Sequence, residues 1–91
     1  MTKHVTPLEA RLAHELDEAR HLLDEMGDQL ATDVILVANH GVAIQTVDIV
    51  GQIMGHIANV VRATDPEAAV EDIGMHDLKM KLKAATCEQA A

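Results

Sequence analysis

Two side chains near the middle of this chain have the types and the spacing for chemistry. Asp48 and Gln52 stand four residues apart, so on a helix they point the same way. A carboxamide both donates and accepts hydrogen bonds, which lets Gln52 position a water molecule. Asp48 is the single charged residue between Val34 and Val61, in a protein where 24% of residues are charged. A second pair, Glu18 and His21, sets a carboxylate and an imidazole three residues apart, both of them metal-ligand types. Cys87 is the only cysteine. No general base stands near it in sequence, and it reads as an idle thiol.

The run Asp48-Ile49-Val50-Gly51-Gln52 resembles the Asp-x-Thr-Gly-Gln segment of the CheZ family of chemotaxis phosphatases, with Val50 where that family has threonine. In that family the pair sits midway along a helix of a long hairpin that dimerises into a four-helix bundle. The resemblance implies that Asp48 pairs with the lysine of a receiver domain. It also implies that Gln52 enters the receiver's active site and orients a water in line with the aspartyl phosphate. The Mg²⁺ of such a reaction belongs to the receiver. Ala13-His14-Glu15-Leu16 resembles the His-Glu-Leu run around the phosphoacceptor of sensor histidine kinases. The Arg-Thr-Pro that follows in that family is absent, and we read His14 as a solvent-facing histidine beside acids. Glu18-Ala19-Arg20-His21 is similar in spacing to di-iron helix bundles, whose ligands project inward. Here both residues fall on the solvated side of their helix, so neither a metal nor any other cofactor is expected.

On a 100° helical wheel, Gln45, Asp48, Gln52, His56 and Asn59 gather within about 80°. This stripe has a plainer reading than catalysis. It is the wet edge of a long helix, or a hydrogen-bonded polar layer that fixes the register of a dimer. We carry that reading first and the phosphatase as the alternative.

The elements that must hold these residues are helices. Thr6, Pro7 and Glu9 form a capping box with proline at the first helical position. From there Leu8, Leu12, Leu16, Ala19, Leu23, Met26 and Leu30 make a narrow apolar seam, backed by His14, Asp17, Glu18, His21, Asp24, Glu25 and Asp28. The pattern predicts a helix over 7–31. Thr32 or Asp33 caps the next, over 34–63, whose apolar arc of about 160° is too broad for one seam to cover and should face two neighbours. Gly51 and Gly55 in this helix would let a neighbour approach closely. A β-hairpin over 34–50, turning at Asn39-His40-Gly41, is the rival for its first half. Asp65-Pro66 starts a helix over 66–73, Gly74 ends it, and a short helical segment over 76–85 precedes a frayed tail, 86–91.

Ninety-one residues make one domain, and a single cysteine forbids an internal disulfide. The absence of Phe, Tyr and Trp and a net charge of −8 argue against nucleic-acid binding, removing both stacking platforms and phosphate attraction. Polar residues interrupt every window of about 20 in the central stretch, which argues against a membrane span. No apolar leader follows Met1, and a lone thiol suits a reducing compartment, so a cytoplasmic location is expected. The fold expected is all-α: an antiparallel helical hairpin plus a short C-terminal helical segment, pairing as a homodimer into a four-helix bundle. The function expected is that of a non-enzymatic interaction or regulatory protein. Its acidic faces and Lys79, Lys81 and Lys83 would be contact surfaces.

Overall fold

In the computed structural model, which describes residues 2–90 and the side chains of 2–86, the chain is all-α. Four helices follow in order: α1 (Pro7–Ala31), α2 (Val34–Val61), α3 (Pro66–Glu71) and α4 (His76–Ala90). Among the described residues there is no strand, so the hairpin rival for 34–50 is not what the chain adopts. The helix starts follow their local signals. The Thr6 hydroxyl accepts from the Glu9 backbone N–H at 3.1 Å, and the Glu9 carboxylate accepts from the Thr6 N–H at 3.0 Å. Asp33 caps α2 by accepting from the Ile35 and Leu36 N–H groups, each at 3.0 Å. Asp65 caps α3 through Ala68 N–H at 3.1 Å, with Pro66 at the first helical position.

The ends differ more from the sequence expectation. α2 stops at Val61, two residues short of 63, with Arg62 as its C-cap. α3 stops at Glu71 rather than 73, because Asp72 already caps it. α4 runs to Ala90 rather than 85, since neither glycine nor proline interrupts it after Gly74. The expected tail therefore lies mostly within a helix, and residue 91 lies outside the described residues. Inside α2, His40 leaves helical angles (φ −132°, ψ 30°), so the 28-residue helix is kinked there. The kink falls on Asn39-His40-Gly41, the triplet that would have turned a hairpin. The local signal is real and is expressed as a bend, with Gly41 as its weak point.

α1 and α2 pack as the expected antiparallel hairpin, joined by a turn in which Asp33 N–H bonds the Leu30 carbonyl at 3.2 Å. Their contact is not made by the leucine seam alone. The buried residues at the crossing are small: Ala13 on α1, and Gly51, Gly55 and Ala58 on α2. Leu8, Leu12 and Met26 of the seam are exposed, with Leu8 at 67%. Arg20 lies across Gly55, where a Cβ would come within 2.6 Å of its Nη1. Asp17, expected on the solvated back, instead pairs with Arg62 across the hairpin. α3 covers the C-terminal half of α2, burying Val70 and Ile73. α4 packs principally on α3, held by Lys83 and Lys79 at 2.7 and 3.4 Å from Glu71.

Two predictions follow from this packing. Gly55→Leu drives a side chain into Arg20 and should cost about 1–3 kcal/mol in urea unfolding. Gly41→Ala, with nothing within 4 Å of the new Cβ and no positive φ, should gain up to about 1 kcal/mol in the same assay. A third prediction concerns pH. The Lys3 ammonium and the Thr6 N–H pull Glu9 from an ordinary 4.5 down to about 2. Lys83 and Lys79 lower Glu71, and the Ala68 N–H lowers Asp65. Groups depressed by folding stabilise the fold above their unfolded values, and that support is lost as pH falls. The urea midpoint should therefore drop between pH 4.5 and about 2, and Glu9→Gln should make the drop smaller.

Candidate functional site

Asp48 and Gln52 sit in the straight part of α2, beyond the kink, where regular helical geometry sets them on one face. Gln52 Nε2 donates to Asp48 Oδ2 at 2.8 Å, and both side chains are exposed. One amide hydrogen is thus committed to the carboxylate. The second amide hydrogen and the carbonyl oxygen face outward, a donor and an acceptor fixed in direction by the first bond. As a helix-surface pair alone this is worth about 0.2–0.5 kcal/mol. The pair stands beside the hairpin seam, where Asp48 reaches the rim of an open cleft of about 460 Å³ between α1 and α2. Gly27, Ile44 and Val47 line the apolar part of that cleft, and Arg20, Asp24 and Asp28 share the polar part with Asp48.

Arg20 is the residue that sequence reasoning left out of this neighbourhood. Its i,i+4 relation to Asp24 is legible, and Arg20 Nε lies 3.8 Å from Asp24 Oδ2. What placed it here is the pair of glycines: Gly51 and Gly55 leave a groove along α2 that the arginine side chain fills. The glycines do allow close approach, but what approaches is a charged side chain.

The polar stripe on α2 is not a single surface. Gln45, Asp48, Gln52 and Asn59 are exposed, whereas His56 is half-buried. His56 and Asn59 line a hollow of about 280 Å³ with Ala69, Asp72 and Ile73, against α3. The stripe is therefore divided: its middle lies beside α1 and its C-terminal end faces α3. Nothing in the sequence period predicts that division, which arises from the fold-back of α3.

Glu18 and His21 are both exposed, and each turns toward a different neighbour. His14 Nε2 lies 3.8 Å from Glu18 Oε1, and His21 Nε2 lies 3.0 Å from Glu25 Oε1. Among the described residues, no three His, Cys, Asp or Glu side chains come together as metal ligands do. The Cys87 side chain lies outside the described residues. Lys79 and Lys83, expected to form a basic contact surface with Lys81, are drawn onto Glu71 instead. No family model matches this chain, and no curated protein or solved structure does.

Proposed function

We propose that the chain is a non-enzymatic interaction or regulatory protein of the cytoplasm that works as a helical homodimer. The observation that carries this reading is the hairpin's uncovered apolar surface. The molecule measures 50 × 26 × 16 Å, little more than one helix thick in its smallest dimension. Its radius of gyration is 15.8 Å, against about 12 Å for a compact domain of this length. Val34, Ile35, Val42, Ile49 and Val50 on α2 are exposed, and so are Leu8, Leu12, Leu22 and Met26 on α1. A soluble protein rarely leaves so much apolar surface in water unless a partner covers it. Pairing of two hairpins supplies the second layer of a four-helix bundle. Light scattering at micromolar concentration should return a mass of two 9.8 kDa chains, and a mass of one chain would overturn the reading.

A second reading, an accessory phosphatase for the aspartyl phosphate of a receiver domain, is favoured by the exposed, hydrogen-bonded Asp48–Gln52 pair. In that reaction Gln52 would orient a water that attacks phosphorus as the receiver's aspartate leaves, giving inorganic phosphate. The receiver's Mg²⁺ would neutralise the developing charge. Adding the protein to a panel of phosphorylated receivers should then speed loss of the phosphoryl group in at least one. Gln52→Ala should lower that rate roughly tenfold or more, equivalent to about 1.4 kcal/mol of transition-state stabilisation. An unchanged rate on adding the protein, or on removing the carboxamide, would end this reading.

A further inference from the structure

The two helices of the hairpin are unlike on their outward sides. α1 carries seven of the fifteen acidic residues, and local pairs already solvate its outer face, among them Arg11 Nη2 with Glu15 Oε1 at 2.7 Å. α2 from Val34 to Val47 holds no Asp, Glu, Lys or Arg. A helical segment so apolar around its circumference belongs in the interior of an assembly, yet α1 covers only one side of it. On the other side Ile35, Val42 and Ile49 recur every seven residues, 74%, 79% and 46% exposed. Val42 and Ile49, one seven-residue repeat apart beyond the bend at His40, lie on nearly one line with a drift of about 20°, and Ile35 extends the apolar surface on the other side of that bend. On a 100° wheel Val42 stands about 180° from Gly51, which faces α1.

We propose that a second copy of this chain docks on the Ile35–Val42–Ile49 surface, α2 against α2, with the two α1 helices outermost. Resting on the self-association proposed above, this pairing names the contact helix. Charge favours it: two copies at −8 each repel, and the uncharged stretch of α2 lets them touch while the acids of α1 stay apart. Area favours it too. The accessible surface is 6515 Å², where a compact monomer of this mass exposes about 5,200 Å². The excess exceeds the ≈ 800 Å² that each partner gives up in a standard interface. Antiparallel pairing centred at Val42 sets that residue opposite its own copy, and in-register parallel pairing does so as well.

The test is sedimentation equilibrium on the full chain, with helicity followed by circular dichroism. Val42→Glu should weaken dimerisation roughly tenfold or more while Leu12→Glu, on the exposed seam of α1, changes it little. The inference is overturned if Val42→Glu dimerises as the wild type does, or if Leu12→Glu alone dissociates it. Should Val42→Glu lose helicity, Val42→Cys in a Cys87→Ser chain decides under mild oxidation. A covalent dimer there, and none with Arg11→Cys in the same background, supports the pairing, and the reverse pattern overturns it. A monomeric wild type would overturn the self-association reading itself. Because α2 is long and apolar enough to cross a membrane by length and composition, phosphatidylcholine vesicles form a further arm. Binding of a monomer to them would assign the surface to lipid and overturn the pairing.

Discussion

Two helices pack closely only where side chains at the crossing are small, and everything else in this molecule follows from how α1 and α2 meet that condition. Ala13 and Ala58 are buried at this contact, and Gly51 and Gly55 open the groove that Arg20 of α1 fills. Leu16, Leu23 and Leu30 are half-buried, while Leu8, Leu12 and Met26 are exposed. Gly55 costs helix propensity, about 1 kcal/mol relative to alanine. The cost is offset by the groove it opens for Arg20, whose stem packs on α2 while its charged end stays near Asp24. The interior that results is unusual for its length: among the described residues, the buried hydrophobic ones are Ala13, Ala58, Val70 and Ile73.

The parts of the fold that were legible in the sequence are the local ones. Thr6 with Glu9, Asp33 and Asp65 with Pro66 announce helix starts through bonds made within three residues, so no tertiary knowledge is needed to read them. The leucine seam is legible only in part, for the opposite reason: it holds both half-buried and exposed side chains. Period alone says which side of α1 is apolar, but the partner decides which residues are covered. Ile44 and Val47 of α2 line the same hollows as Leu23 and Leu30, whereas Gly51, Gly55 and Ala58 carry the buried part of α2. Period likewise puts Asp17 on the wet side, while its contact runs to Arg62, 45 residues apart.

The candidate site divides in the same way. Asp48 and Gln52 are joined by an i,i+4 relation that any helix enforces, and the hydrogen bond between them is what the spacing implies. The cleft at Asp48 was not legible, since it is bounded by residues of α1 that lie some twenty positions away in sequence. Nor was the separation of His56 from the rest of its stripe, because α3 reaches it only after the chain reverses at Asp65.

The departure of His40 from helical angles divides α2 geometrically. A continuous helix transmits a bend or a twist along its whole length through an unbroken ladder of backbone bonds. Here the helix bends at His40, between the loop end of the hairpin and the segment that carries Asp48 and Gln52. The exposed apolar residues before the bend, Val34 and Ile35, and those beyond it, Val42 and Ile49, therefore do not share one straight axis.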